Sequence, residues 1–574
     1  MKSFYIGLAL VLSTGLDAQH KTPFESGNGN QTPEYTEIIK WWTLLDKTSS
    51  IVQMNAFGMT DAGQPLHLII VSKDGAFNFK SIHKKNKIVI LINNGIHPGE
   101  PDGIDASMLL VRDLAEHKIS LPDNIVLGII PVYNIGGCLD RSTEYRVDQN
   151  GPEAFGFRGN SQNLDLNRDF IKCDSKEAKA FAGIFHLTDP DIFIDNHVSD
   201  GADYQHVMTL VSTQHNKLGG IMGAYLNNNL EPGLYSSMKN KGFDLIPYVN
   251  AFEVKPEQGW PQFMDWPRYS SGYAALWSCF SFITETHMLK PYNQRVKATY
   301  ELMKSFIEFA SGHAPAIKYA RIQTRKTELN QKEFPLSWIS DRSQFSKWLY
   351  KGYESTFKSS EVSGLPRLYY DRNKPFEKII PFYNHYNPTM VTEKPEAYII
   401  PQGWWKVIDL LKQNQVRMHR FQQDTLLQVE VYKIVEYTSS TRQYEMHHPN
   451  SQVKTSTSIQ MISFHKGDYY IPMNQTANRF LMEVLEPAAP DSYFTWNFFD
   501  SILGQKEGFS DYAFEDIAAG YLKKHPDIQS ALDKRRIEDT AFTHRADLQL
   551  EFVYNHSPWV EPAFMRYPVY RVKK

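Results

Sequence analysis

His97 and Glu100 stand three residues apart in the loop Asn93-Asn94-Gly95-Ile96-His97-Pro98-Gly99-Glu100, where they offer an imidazole nitrogen and a carboxylate oxygen on one turn. A catalytic zinc uses such a pair together with a third protein ligand and one open position. The pair alone is weak, because H-x-x-E arises by accident. His197, which follows Asp191-Ile192-Phe193-Ile194-Asp195-Asn196, is the expected third ligand. Arg158, Asn167 and Arg168 lie between the two histidines, and Glu285 follows the apolar stretch 280–284. Four separated segments that each deliver a polar group are harder to obtain by chance than one motif. The arrangement also differs from the helical H-E-x-x-H pattern, in which the glutamate is a base and not a ligand. His206 rivals His197 but precedes a strand instead of ending one. His186, His215 and His287 read as surface or packed residues, with His287 the one placed to line a cleft.

The elements around these residues alternate. Residues 68–71, 88–92, 125–132, 192–194, 207–211 and 279–284 read as short apolar strands. Helices are expected at 102–114, where Ile104, Met108 and Val111 form a core-facing stripe, and at 175–185, 218–230 and 296–307. His97 falls just past the carboxyl end of its strand, where open α/β sheets place their sites. This pattern predicts an α/β fold, an α/β/α sandwich on a mixed, mainly parallel sheet. The segment Ser311-Gly312-His313-Ala314-Pro315 breaks the last helix, and the domain boundary is placed there. The remainder is mixed and strand-rich. Residues 427–435, 457–464 and 548–553 read as strands, 397–421 as a small β-α-β unit, and 511–523 and 527–533 as helices.

At 574 residues the chain is too long for one ordinary core. Sixty-one basic against 64 acidic residues leave a formal charge of −3, and no basic tract with interleaved aromatics exists, so nucleic acid is excluded as a partner. Residues 1–18 have one lysine, a short apolar core and a small residue at the end, the pattern of a secretory signal. The apolar run is shorter than a membrane span needs, and no later stretch is long enough. An exported protein, periplasmic or extracellular, with no membrane span is expected. Cys138, Cys173 and Cys279 have no C-x-x-C spacing, which argues against a thiolate metal site or a redox pair.

The set HPGE at 97–100, RGN then DLNRDF at 158–170, the histidine at 197 and ETHMLKPY at 285–292 resembles the zinc carboxypeptidase family, the funnelins related to pancreatic carboxypeptidase, across about residues 55–310. The segment 474–500 resembles carboxyl-terminal regions attached to some bacterial members, so the resemblance is to a secreted bacterial multidomain form. It implies one Zn²⁺ per chain on His97, Glu100 and His197, with Asp165 fixing the tautomer of the first histidine. It further implies Glu285 as general base, Arg158 as the group that stabilises the developing oxyanion, and Asn167 with Arg168 as the clasp for a peptide's terminal carboxylate. A division of labour in which Arg168 polarises the carbonyl stays open. The family's mobile tyrosine has two candidates, Tyr269 and Tyr273.

The expected organisation is a signal peptide at 1–18, a zinc peptidase domain at 19–312 and an accessory strand-rich region at 313–574, of one or two subdomains, that covers one side of the catalytic unit or narrows its funnel. The expected activity is zinc-dependent hydrolysis of the C-terminal peptide bond of peptides or peptide-like substrates. An amidase or deacylase acting on cell-wall peptides or acylated amino acids is the alternative within enzymes. A non-catalytic peptide- or glycan-binding protein on a hydrolase fold is the alternative outside them. No sequence feature sets an oligomeric state.

Overall fold

The computed structural model describes residues 20–251 and 255–573; the leader expected at 1–18 lies outside them. Eight strands form the central sheet: β1 (Val52–Met59), β2 (Pro65–Ser72), β3 (Ile88–Asn93), β4 (Ile125–Ile130), β5 (Ile192–Ser199), β6 (Met208–Ser212), β7 (Ile246–Pro247) and β8 (Phe280–His287). Their order is β1-β2-β4-β3-β5-β8-β6-β7. The middle of the sheet, β4-β3-β5-β8, is parallel, β1 and β2 run against their neighbours, and β6 is antiparallel to β8 but parallel to β7. The predicted mixed, mainly parallel sheet is therefore present. β3, β4 and β5 are buried along their whole length, as expected where helices cover both faces.

Alternation along the strands sends two sets of side chains to two cores. Ile88, Ile90, Ile92, Ile192 and Ile194 pack under α1 (Tyr35–Thr48), α2 (Asp102–Ala115) and, farther along the chain, α4 (Tyr292–Gly312). Val89, Leu91 and Phe193 pack against α3 (Lys176–Thr188) on the other face. Glu34 and Glu37 cap the first turn of α1 reciprocally. Gly103 in α2 lies against Asn94 and Asn196, where any side chain would collide with both. That absence lets the helix sit directly on the strand ends that carry the site.

The break at 311–315 joins α4 to a second helix, α5 (Ala314–Asn330), which packs back on the same layer through Ile317 and Ala320. Arg321 of α5 is buried, 2.6 Å from Asp191 and 2.9 Å from Asp189, and its Nε donates to the Ser278 carbonyl at 2.7 Å. Asp191 also accepts from the Val89 backbone at 2.9 Å and from Lys318 at 2.7 Å. The lower edge of β3, β5 and β8 is thus tied together at the end away from the site, and the chain leaves this layer only after Asn330.

Beyond it, β9 (Glu333–Ser340) pairs with β12 (Tyr386–Glu393), enclosing the hairpin of β10 (Ser346–Ser359) and β11 (Pro366–Tyr383). A six-stranded sheet follows, with β13 (Ala397–Ile400), β14 (His419–Arg420), β15 (Thr425–Ser439), β16 (Asn450–Phe464), β17 (Tyr469–Pro472) and β18 (Tyr570–Val572) in the order β14-β17-β13-β18-β15-β16. The expected β-α-β unit exists as β13, a helix at Trp405–Gln413 and β14, with β17 inserted between its strands. The strand expected at 548–553 is instead part of the helix Ala546–Asn555. Its Leu550, Phe552 and Val553 face a small helical cluster with Phe514 and Leu532, a run too short for periodicity to distinguish strand from helix. Among the described residues no helix is long and apolar enough to cross a membrane. All three cysteines are free and buried.

Replacing Arg321 with Met would leave the Asp189 and Asp191 carboxylates short of their main counter-charge. We expect unfolding by urea to show a loss of about 3–5 kcal/mol, the scale for breaking one side of a buried ion pair, with the affinity for zinc unchanged because the site lies at the opposite strand ends. An unchanged urea midpoint would refute the anchoring role.

Candidate metal centre and substrate cleft

The parallel pairing sets the site. Glu285 on β8 lies in register with His197 on β5, and Asn93 on β3 in register with Asp195. His197 and Glu285 sit within their strands, two residues before the end of each, and not just past them. The loop after β3 brings His97 and Glu100 over the same point. One ligand atom each from His97, Glu100 and His197 lies within 4.8 Å of the others, and all three residues are buried.

Each imidazole is turned by a carboxylate behind it. His97 Nε2 is 2.9 Å from Asp165, and His197 Nε2 is 3.0 Å from Asp195, which Asn93 holds at 2.9 Å. Both Nδ1 atoms therefore face Glu100, at 3.3 Å from His97 and 3.2 Å from His197. His97 Nδ1 is buried and makes no hydrogen bond. A buried imidazole nitrogen without a bond, a carboxylate and a second imidazole beside it, and an outer carboxylate on each ring suit a zinc ion. The residues present fit the metal.

Glu100 carries the negative charge at the centre. Burial pushes its carboxyl upward, but His97, Arg146 and His197 outweigh that and hold it well below the usual range. Val198 donates its backbone N–H at 2.9 Å, Arg146 Nη1 lies at 3.0 Å and Arg158 Nη1 at 3.4 Å. Arg146 was not foreseen from the sequence. Its stem crosses Gly99, where a Cβ would lie 2.6 Å from Arg146 Cδ, and Gln149 holds its Nε at 2.6 Å. The glycine of HPGE was the available sign that something packs there.

The stretch from Arg158 to Asp169 folds as a loop and a single turn. Asn160 accepts from the backbone of Gln162 and Leu164, so the asparagine of RGN shapes the loop and does no chemistry. Asp165 caps the turn Leu166–Arg168 by accepting the Asn167 N–H at 2.9 Å while its second oxygen takes Arg158 Nε at 3.0 Å. Burial would raise the Asp165 carboxyl, and His97, Arg158 and Arg168 bring it well below its ordinary value. Asn167 accepts the Ser270 N–H at 3.2 Å, and the Arg168 guanidinium lies 4.8 Å from the centre of the Tyr269 ring. These residues line one cleft of about 410 Å³ with His97, Glu100, His197, Glu285, Arg146, Arg158, Tyr248 and Phe263.

Glu285 is half-buried on the cleft wall. Burial pushes its carboxyl up to about 8; His197 and Arg158 pull it down, while Glu100 and Asp200 push it further up. Of the two candidate tyrosines, Tyr269 lines the cleft. Tyr273 does not: it is fully buried among Phe170, Phe181 and Phe185, with its hydroxyl donating to Asn414 at 2.7 Å. The difference arises because Tyr269 caps the helix Ser270–Ala275, whereas Tyr273 lies one turn into it on the core side. Tyr248, which sequence alone did not single out, lines the cleft, and Trp260 fixes its backbone by donating to its carbonyl at 2.7 Å. His206 is held by the Asp244 carbonyl and the Lys351 N–H, and burial lowers it to about 4. His287 is bonded to the Ala202 carbonyl at 2.8 Å and is packed, not cleft-lining.

A second cavity of about 470 Å³ adjoins the cleft, sharing Val211, Tyr248 and Phe263 as walls. Glu231, Tyr235 and Gln262 line its catalytic-domain side, and Trp348 and Phe382 of the β10–β11 hairpin line the other. Glu231 is bonded to the Ser212 hydroxyl and makes no ion pair among the described residues, and burial pushes it up to about 7.

Residues 38–197 match the family model described as zinc carboxypeptidase, a span that ends on the third ligand. No curated protein matches the chain. Solved structures similar to it include a metallo-carboxypeptidase from Burkholderia cenocepacia (14% identity, covering 48% of this chain and 69% of that one, TM-score 0.36). A putative carboxypeptidase A from Shewanella denitrificans (18%, 48% and 70%, 0.37) and the carboxypeptidase A from Helicoverpa armigera (15%, 50% and 75%, 0.37) are others. The sequence match and the ligand geometry together give a zinc-carboxypeptidase-like catalytic domain carrying one His/Glu/His metal site, followed by an additional C-terminal region.

In the metal-free protein burial pulls His197 down, but Asp195 and Glu100 more than offset it and hold the ring well above its usual value. Both His197 and Glu285 are thus shifted toward their protonated forms. A metal ligand must be the neutral imidazole, so zinc uptake at pH 7 releases protons and zinc affinity falls as pH falls. Calorimetric titration of zinc in two buffers of different ionisation enthalpy checks this; equal heats in both would show that no proton leaves.

Proposed function

We propose that the protein is a zinc-dependent carboxypeptidase that removes the C-terminal residue of peptides, one Zn²⁺ being held by His97, Glu100 and His197. The observation that carries this reading is the convergence of three ligand atoms within 4.8 Å in a cleft that also presents Glu285, Arg158, Asn167 and Arg168. When bound, the ion supplies Lewis acidity at the scissile carbonyl. The chain's own residues do the rest.

Asn167 and Arg168 take the terminal carboxylate. Asn167 uses its side-chain oxygen on Ser270, which leaves its amide nitrogen to donate, and Arg168 is steadied by the face of Tyr269. Arg158, anchored on Asp165, offers a fixed positive charge to the oxygen that becomes negative as the bond breaks. Glu285 takes a proton from the attacking water and returns it to the leaving amine. Its partly desolvated place makes it a better base than an exposed glutamate, and a cation close by brings its value down from 8 toward neutrality.

The adjoining cavity supports a side-chain preference. Glu231, deep among Tyr235, Tyr248 and Trp348 with no ion pair among the described residues, is partly neutral because burial raises its carboxyl, and a positive charge on a ligand would bring it to its ionised form. A C-terminal lysine or arginine supplies that charge, with its stem along aromatic walls. Export of the protein is inferred from residues 1–18 and is tested by sequencing the N-terminus of the mature protein.

Cleavage profiling of a mixed peptide library by mass spectrometry should show single-residue loss from C-termini, enriched in lysine and arginine. Glu285→Gln should lower kcat by about 10²–10⁴-fold, the scale of a lost general base, while keeping its zinc. Glu231→Gln should reduce kcat/KM on C-terminal arginine by about 10–100-fold, the scale of a lost charge-assisted bond, and leave C-terminal leucine unaffected. Equal turnover of C-terminally amidated peptides would favour an amidase. Zinc uptake without hydrolysis of any peptide would favour the binding protein.

A further inference from the structure

Two long strands of the C-terminal region, β15 and β16, form a hairpin whose tip reaches the catalytic loop. At the tip Tyr444 and His447 exchange backbone bonds of 2.8 and 3.0 Å, enclosing a two-residue turn. Both central residues are left-handed, Glu445 at φ +48° and Met446 at φ +67°. Two-residue hairpin turns with positive φ at both positions favour Asn-Gly, because a side chain is strained there. Glutamate and methionine each oppose that geometry, and nothing within the hairpin compensates.

The compensation lies across the interface. Glu445 Oε2 accepts the backbone N–H of Asp165 at 2.9 Å. Asp165 is the residue that caps the Leu166–Arg168 turn and orients His97. Beside it His447 Nε2 is 2.9 Å from Asp174, which fixes the tip against the same segment. On the opposite wall Asp491, also from the C-terminal region, accepts the Arg268 N–H at 2.8 Å, next to Tyr269. Both halves of the Arg168–Tyr269 pair are thus held from behind by the second region, at a turn whose backbone is kept in an unfavoured conformation. Strain that persists at one place in an ordered fold points to a role for that place.

We propose that Glu445 is a positioning residue: from the hairpin tip it fixes the Asp165–Arg168 turn, so that the C-terminal region completes the clasp for the substrate carboxylate. This rests on the carboxypeptidase reading for the identity of what Arg168 holds, but the placement of the turn is testable without it.

Three variants of the full chain separate positioning from simple hairpin stability. Glu445→Ala removes the acceptor. Glu445→Gln keeps a side-chain oxygen of the same reach. The double variant Glu445→Asn with Met446→Gly installs the sequence the turn prefers while shortening the side chain. In zinc-loaded protein with a peptide ending in a free carboxylate, KM should rise about tenfold in the Ala and Asn-Gly variants, the scale of one charge-assisted hydrogen bond. It should stay within about threefold of the parent in the Gln variant, with kcat changed less than KM throughout. Hydrogen–deuterium exchange should show faster exchange at the Asp165 amide in the Ala and Asn-Gly variants and not in Gln, while thermal stability of Asn-Gly holds or rises. The proposal is overturned if the Asn-Gly variant keeps the parent KM and the parent protection at Asp165, since the tip would then need only its shape. If the parent cleaves no peptide, the carboxypeptidase reading fails, and the exchange data alone still decide the role of Glu445.

Discussion

A carboxylate almost without access to water sits at the centre of this protein, and the rest of the site is arranged so that it can keep its charge. Glu100 is 3% exposed, yet it meets two imidazoles, two guanidinium groups and one backbone N–H. An isolated ion at such a depth would take up a proton instead. Here the surplus of positive partners reverses the outcome, and the same surplus prepares the place for a divalent cation. A divalent cation in place of a proton on His197 would raise the local charge by one unit, and Arg146, which touches neither histidine, pairs with Glu100 directly.

Keeping those partners within reach demands that three strands hold one register. The parallel pairing of β3, β5 and β8 achieves this, and a row of buried polar side chains beneath the site enforces the register. Ser107 accepts from Asn94, Asn94 accepts from Asn196, and Asn196 accepts from Thr284, at 2.9, 2.8 and 2.7 Å. A slip by one residue would send His197 and Glu285 to the wrong face and strand every member of that row without a partner. The apolar cores above and below supply the free energy of folding, while this row selects one alignment.

Arg158 and Arg168 stood out in the sequence only through the resemblance of RGN and DLNRDF to a family motif, whereas His97, His197 and Glu285 stood out because each follows or ends an apolar run bounded by polar residues. The strand positions were legible for the same reason. Tyr273 was misleading: it lies four residues after Tyr269, and only the helix Ser270–Ala275 determines that one faces the cleft and the other the core. Tyr248 was silent and Arg146 was marked only by the glycine it crosses, Gly99, since each arrives from a loop with no period and no motif. The long hairpins of the C-terminal region were only partly visible because much of their surface is exposed on both faces, as the exposed Leu426, Ile459 and Met461 illustrate. Without a wet and a dry side, the two-residue period that marks a strand fades. Glu445 could not have been found at all, for its importance depends on a backbone N–H 280 positions away.

The division into a catalytic unit and an appendage is also weaker in space than along the chain. The face of the sheet that carries Leu91 and Phe193 packs on α3, and the same continuous core runs through Tyr273 and Trp277 into Leu411, Phe480 and Trp496 of the C-terminal region. Trp277 and Phe480 stack with their ring centres 5.1 Å apart. Each large apolar side chain buried along that seam contributes about 1.5–3 kcal/mol, which exceeds what a loosely attached module would share with its neighbour. Exposing the seam would leave a wide apolar face on the sheet directly behind the Asp165 turn. The second region therefore acts on the site through the core as well as at the hairpin tip: it is the surface against which the catalytic loops are set.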